Sequence, residues 1–374
     1  MASEYKKLGD YITEIDERNP MREELKLLGV SIEKKFMSSV ANVIGTDLKN
    51  YKKIHKNEFA CSLMQVSRDG GVAISLYKDE IASIMSPAYF IFKVTDTEKL
   101  LPEYLEIIVS NSEFDRQAVF YAIGGVRGTL TWEEFKELKI SIPHIKEQKK
   151  IVRQFQTISS RIQILEKINK KLETELILLL EKETFNINVT QNLELFCDKI
   201  YSGGTPETSK SEYWNGDLRW LSSGETRNTF ILDTDRKITL LGVKNSSTKL
   251  APKDSIVIAI AGQGLTRGQV SFVINETYIN QSVIVFQPKE QYLGYLFISL
   301  RNKYNELRNM SDLESIRGSL SLGTLQTFQL KIPSEDFLSK FNSVFNASIQ
   351  IMKSNAKEIE KLNKLIEIVQ EQVM

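Results

Sequence analysis

A chain of 374 residues with 41% hydrophobic content is long enough for two or three domains. Its net charge of +1 argues against a protein that coats nucleic acid indiscriminately, because phosphate neutralisation makes such proteins strongly basic. No stretch approaches the roughly 20 apolar residues of a membrane-spanning helix. Residues 1–7 have no apolar run behind their charges, so they do not read as a signal peptide. Two cysteines, Cys61 and Cys197, suit a reducing cytoplasm better than a disulfide framework.

In chain order, residues 72–76 and 89–94 read as strands, being rich in β-branched and aromatic side chains. Residues 101–116 read as one helix. Then come an Arg127-Gly128 turn, a short strand and Pro143. The next stretch is helical, with apolar positions at Ile151, Phe155, Ile158, Ile162, Leu165, Leu172, Leu176 and Leu179. Steps of four and three mark a coiled-coil seam, broken at Asn169. A second module follows, with strands at 255–260, 269–274 and 282–286 and a helix at 293–310. It too ends in an Arg-Gly turn, a short strand and a proline, Pro333. A second seam runs through Phe341, Phe345, Ser348, Met352, Asn355, Ile359, Leu362, Ile366, Val369 and Val373.

The two halves are one unit used twice. Val126-Arg127-Gly128-Thr129-Leu130-Thr131 matches Ile316-Arg317-Gly318-Ser319-Leu320-Ser321, an offset of 317 − 127 = 190. The offset holds without a gap from Phe135/Leu325 to Pro143/Pro333, and the two seams keep it. Each helix covers about 40 residues, or about 60 Å at 1.5 Å per residue. Neither buries its seam alone, so they are expected to pack on each other. An antiparallel register that puts Ile151 opposite Val373 puts Asn169 opposite Asn355. A buried polar pair of this kind fixes register.

The chain lacks catalytic signatures. His55 and His144 are the only histidines, and there is no phosphate-binding loop ending in Gly-Lys-Ser/Thr. There is no zinc spacing, and no Asn-Pro-Pro-aromatic run of the kind an adenine methyltransferase uses. What remains is binding chemistry. Ser202, Gly203, Gly204 and Thr205 form a Gly-rich hydroxyl loop followed by Lys210, suited to phosphate. Trp214 and Trp220, just beyond it, read as core. Ser223 and Arg227 lie in a polar loop at 222–228, and Gln263, Thr266 and Arg267 in a Gly-rich loop at 262–268. Gln suits adenine and Arg suits guanine in the major groove. The comparable loop of the first module is 65–71, with Gln65 and Arg68, and Lys34 and Lys35 are near in sequence. Arg127 and Arg317 recur in both copies, which fits a frame or phosphate role rather than base reading.

Ser202-Gly203-Gly204-Thr205-Pro206, Tyr213-Trp214-Asn215-Gly216 and Arg219-Trp220-Leu221 resemble the opening of a target recognition domain in type I restriction-modification specificity subunits. Ile140-Ser141-Ile142-Pro143 with Glu147-Gln148 resembles that family's exit into its helical spacer. Leu330-Lys331-Ile332-Pro333 matches the exit, with Asp336-Phe337 in place of Glu-Gln. The first module departs from the pattern, carrying Glu14 to Asn19 where the Ser-Gly-Gly-Thr-Pro loop would stand. The resemblance implies an α+β protein. It would have two pseudo-repeated mixed α/β target recognition domains, at 1–143 and 186–333, separated by two long helices, at 144–185 and 334–374, packed as an antiparallel coiled coil. It further implies a non-catalytic, cytoplasmic subunit that reads a bipartite site in double-stranded DNA. Two methyltransferase subunits would dock on it, and two restriction/translocase subunits could join. The partners would use S-adenosylmethionine, and ATP with magnesium for cleavage; this chain would hold no cofactor or metal. The competing readings are a coiled-coil adapter that does not bind DNA and a stand-alone methyltransferase or nuclease.

Overall fold

A computed structural model describes residues 5–21, 23–39, 47–123, 128–262, 265–314 and 319–373, without the side chains of residues 313 and 314. The chain forms two compact units, Met1–Arg161 with Leu362–Met374, and Ile162–Lys361. Each unit therefore takes part of both long helices.

Unit 1 contains β1 (Tyr5–Lys7), β2 (Ile12–Ile15), β3 (Leu27–Val30), β4 (Phe36–Ser38), β5 (Lys52–Ile54), β6 (Phe59–Ser62), β7 (Ala73–Leu76), β8 (Ser83–Met85), β9 (Phe90–Val94) and β10 (Lys139–Ser141). Its helices are α1 (Val66–Asp69), α2 (Pro102–Val109), α3 (Ser112–Ala122), α4 (Trp132–Glu137) and the first part of α5 (Ile145–Thr184). The strands form an antiparallel sheet ordered β2-β9-β6-β7, a sheet ordered β4-β3-β8-β5 with β3 and β8 parallel, and a β1-β10 pair. Alternation along β6 explains the layering: Phe59 and Cys61 face the larger core, and Ala60 faces the core under the second sheet.

Unit 2 contains β11 (Thr190–Asn192), β12 (Cys197–Ser202), β13 (Trp214–Leu221), β14 (Phe230–Ile231), β15 (Arg236–Ile238), β16 (Lys249–Ala251), β17 (Ile256–Ala259), β18 (Val270–Val273), β19 (Thr277–Ile279), β20 (Val283–Pro288) and β21 (Gln329–Lys331). Its helices are α6 (Leu240–Lys244), α7 (Leu293–Asn302), α8 (Tyr304–Glu314), α9 (Leu322–Gln326) and most of α10 (Glu335–Glu371). The sheets are ordered β12-β20-β17-β18-β14 and β15-β13-β19-β16, with a β11-β21 pair. Without the extra edge strand β14, the strand orders match those of unit 1, down to the parallel pair β13-β19. Ile256 and Ile258 of β17 face the larger core and Val257 the smaller one, as in β6.

The stretches 101–116 and 293–310, read as single helices from sequence, are each broken. Asn111 stops α2 and starts α3, its side chain accepting from Glu113 N at 2.8 Å. The second break falls at Lys303, between α7 and α8. Thr131 caps α4 in a reciprocal box with Glu134, and Ser321 caps α9 from the position 190 residues on.

The long helices complete each core. In unit 1, Ile151, Val152, Val369 and Val373 join the module's cluster. In unit 2, Leu176, Leu180, Leu338, Phe341, Phe345, Ile349 and Met352 do so. The helices run antiparallel in unit 2: Asn355 Nδ2 donates to Asn169 Oδ1 at 2.8 Å, while Ser334 Oγ donates to Glu183 Oε1 at 3.3 Å. One seam position differs from the sequence reading. Leu179 is 42% exposed, and Leu180 is buried instead. From Leu172 the spacing 172, 176, 180 follows steps of four, because this end of α5 packs on the broad module core rather than along a narrow seam.

Both cysteines are buried free thiols, and burial pushes the Cys197 pKa up to about 12 and that of Cys61 upward as well. Native thiols should resist alkylation at pH 8 and both should label after denaturation. They should also contribute stability below the unfolded pKa of about 8.5 that fades as pH rises through the folded values. Rapid native labelling would contradict this burial. For the asparagine pair, Asn169→Leu alone should cost about 1–3 kcal/mol in denaturant unfolding by stranding the Asn355 amide. Asn169→Leu with Asn355→Leu should recover that loss; additive losses would count against a coupled pair.

Candidate nucleic-acid interface

In each unit, one polar loop joins two adjacent antiparallel strands of the main sheet. In unit 1 it is 63–72, between β6 and β7; in unit 2 it is 260–269, between β17 and β18. The residues that follow the repeated Arg-Gly pair run beside both. Leu130 N donates to Leu63 O at 2.9 Å, and Leu320 N donates to Ile260 O at 2.9 Å. Gly128 has φ +69 and lies so close to the unit 1 loop that a Cβ there would meet Ser67 Oγ at 1.9 Å. Its neighbour Arg127 lies outside the described residues, as do Arg317 and Gln263.

An acid from the outer helix ties each loop down. Asp115 of α3 accepts from Val72 N at 3.0 Å and from Lys34 Nζ at 2.7 Å. Lys34 thus points inward. Its side chain is 13% exposed and also donates to Val72 O, and burial lowers its pKa against the pull of Asp115. Asp312 of α8 pairs with Arg267 at 2.8 Å, holding the guanidinium against the protein. The sequence points to Lys34 and Arg267 as DNA contacts; in the structure both are held in ion pairs that brace a loop. Lys35 is exposed, Arg68 is exposed but paired with Asp69 at 2.8 Å, and Gln65 and Thr266 are half-buried.

A second cluster in unit 2 gathers the loops at 202–210 and 222–228. Gly203 and Gly204 pack tightly: a Cβ at Gly203 would lie 2.2 Å from Ile279 O, and one at Gly204 2.0 Å from Ser247 Oγ. Their glycine identity therefore serves close packing. Ser202 is half-buried, and Thr205 Oγ1 donates to Gln281 Oε1. Two tryptophans carry the loop backbone. Trp220 Nε1 donates to Gly204 O at 3.3 Å and Trp214 Nε1 to Glu207 O at 3.2 Å. Both indoles are buried and meet edge-on, 5.0 Å apart, as core residues should. Their even spacing along β13 suits a shared face, although the strand is irregular between Trp214 and Leu218, which both pair with Ile238, and Asn215 there has φ +61. Lys210 lies 5.3 Å over the Tyr213 ring and 3.2 Å from Glu207, which raises its pKa and keeps it charged.

The loop at 222–228 is built on buried Glu225. Its carboxylate accepts from Ser222 N, Ser222 Oγ and Asp235 N, all at 2.8–2.9 Å. Ser271 Oγ donates to Thr226 O and Asn228 O. Arg227 is left exposed on this rigid turn, and Ser223 is half-buried. Sequence reading missed the braces Asp115, Asp312 and Glu225, whose partners are set by tertiary register. It also missed Arg236, which is exposed and stacked on Trp214 with Cζ 3.7 Å from the ring centroid. Among the described residues, no group of histidine, cysteine and acidic side chains is placed to hold a metal ion, and no helix is long and apolar enough to cross a membrane.

Polar loops beside two copies of one frame define a class: a duplicated binding protein that varies its loops. The sequence profile of the type I restriction modification DNA specificity domain matches residues 25–174 and 190–361. The chain belongs to that family. It is 26% identical over 176 residues to the type I restriction enzyme MjaIX specificity subunit of Methanocaldococcus jannaschii, covering 45% of this chain and 39% of that one. It is 29% identical over 182 residues to the EcoR124I/EcoR124II specificity subunit of Escherichia coli, covering 45% and 44%. Each alignment thus spans under half of the relative. In fold, the chain is similar to the crystal structure of a type I restriction-modification system S subunit from M. genitalium, with TM-score 0.56 and 12% identity over 99% of this chain and 96% of that one.

Glu225→Ala should strand three donors and cost about 1–3 kcal/mol. Amide exchange should rise at 222–228 and 235 while the sheet stays protected. Unchanged exchange there would remove Glu225 as the brace of that loop.

Proposed function

We propose that this chain is the specificity subunit of a type I restriction-modification complex, with each module reading one half of a bipartite site in double-stranded DNA. The observation that carries the reading is the repeated strand order bearing unlike loops. Shared frame elements dock two readers alike, and different loops at 65–71, 202–210, 222–228 and 262–268 give them different half-sites. Family membership across both halves supports it. The recognition modules are 1–143 and 186–333. The helices between them, 144–185 and 334–374, act as an antiparallel coiled-coil ruler registered by Asn169 and Asn355. A helix of 40 residues is about 60 Å long, close to two turns of DNA at about 34–36 Å each.

In this reading the chain supplies recognition and no catalysis, and it works in the cytoplasm. Two methyltransferase subunits bring S-adenosylmethionine, and restriction subunits bring ATP with magnesium. Among the candidate residues, Lys35 and Arg227 are exposed, Arg68 and Lys210 are exposed but paired with Asp69 and Glu207, and Gln65, Ser202, Thr205, Ser223 and Thr266 border the same loops. These are the groups proposed to meet DNA.

The test is co-expression with the companion methyltransferase, followed by mapping of methylated adenines. A split motif of two specified halves with an unspecified spacer is expected. A continuous motif, or methyl transfer by the purified chain alone, would overturn the reading. Substituting Arg227→Ala should change the second half alone and leave the first intact.

A further inference from the structure

We propose that Arg236 is a DNA-contacting residue of unit 2, presenting the in-plane N–H edge of its guanidinium to a pair of acceptors on DNA. This rests on the proposed function and adds a residue to it. The Arg236 guanidinium lies flat enough on Trp214 to bring Cζ 3.7 Å from the ring centroid, with Trp220 at 5.6 Å. Stacking uses the face of the guanidinium and leaves its N–H edge unengaged. The side chain is exposed, and among the described residues no carboxylate lies within ion-pair distance of it. This sets it apart from its neighbours: Arg219 and Lys237 share Asp233, and Lys210 holds Glu207.

Its position is also fixed. Arg236 pairs with Trp220 across the β13-β15 ladder. The same two tryptophans hold the backbone of the loop at 203–210, so the cation and the loop share one support. A guanidinium already confined by stacking loses less conformational freedom on binding than a free lysine would. Unit 1 does not repeat the arrangement. There the shared β3-β8 and β13-β19 registers match Trp220 to Leu27, and the residue beside Leu27 is Ser39, whose N donates to Leu27 O at 3.1 Å. Arg236 is therefore a point of difference between the modules and not part of the shared frame.

A phosphate group and the N7/O6 edge of guanine both offer two acceptors in this geometry. The experiment measures DNA binding by the complex of this chain with its methyltransferase, at several salt concentrations. The DNAs are its mapped site and single-base variants of the second half. Arg236→Ala should lose about 10–100-fold in affinity, and Arg236→Lys, which keeps charge without the planar edge, should recover only part. With phosphate as the acceptor, the loss is equal on every DNA and the salt slope falls by about one. With guanine, the loss is confined to one base pair.

Arg236→Met keeps an aliphatic cover on Trp214 without donors, and it should bind as poorly as Arg236→Ala with an unchanged unfolding midpoint. Restoration by methionine, or binding by Arg236→Ala within twofold of wild type at the same salt slope, overturns the contact while leaving the function standing. Failure of the wild-type complex to show a bipartite site overturns the function and this contact with it.

Discussion

The structure depends on one constraint: the apolar stripes of the two long helices have to leave water, and each module core is open until they do. In unit 1 the cluster under the main sheet closes with Ile151, Val152, Val369 and Val373. In unit 2 the phenylalanines at 341 and 345 fill the space beside Phe297 of α7. The fit there is close enough that Gly294 has no room for a Cβ, which would lie 2.6 Å from the Phe345 ring. Burial of this kind, at about 25 cal/mol per Å², exceeds what capping or surface ion pairs contribute. The helices are thus structural members of the compact units.

Polar groups then decide how the apolar surfaces are matched. A stripe of leucine and phenylalanine tolerates sliding, but a buried amide does not. The Asn355–Asn169 hydrogen bond is satisfied in one register, and so is the ion pair that brings Arg301 of α7 to Glu173 of α5. Arg301 also donates to Val270 O at 2.7 Å, so α5, α7 and the main sheet of unit 2 are indexed together. Gln148 plays a comparable part in unit 1. Fully buried, it accepts from Leu101 N and donates to Lys99 O and Pro143 O, fixing the start of α5 on α2. At the equivalent position of unit 2 stands Leu338, buried in the core, so the same junction is made there by packing.

What could be read from the sequence follows from how local each feature is. The 190-residue offset, the two long helices and the burial of Trp214 and Trp220 depend on spacing and residue type, and they are visible in one dimension. The helix break at Asn111 was also accessible, since Asn-Ser-Glu is an N-cap signature; a continuous apolar pattern masked it. The surroundings of Lys34 and Arg267 are hidden from the sequence for a different reason. Their partners, Asp115 and Asp312, lie 81 and 45 residues away, and only the folded arrangement of loop against outer helix decides whether such a cation faces water. Arg236 is less legible still, because its stacking needs the β13-β15 register, which pairs it with Trp220 and brings it over Trp214.

These long-range pairs also explain how a chain of net charge +1 can support selective recognition. Many of its cations are neutralised by neighbours, either as braces, like Lys34 and Arg267, or as surface pairs, like Arg68 with Asp69. Exposed cations without a carboxylate, such as Arg236, are then placed groups on rigid supports. A net charge of only +1 gives a shallow electrostatic attraction to any DNA. Affinity then has to come from loop contacts that fit one sequence, and rigid loops penalise every sequence they do not fit. A reader built this way separates right from wrong sites by geometry, and the braces that remove charge from the surface also supply the rigidity.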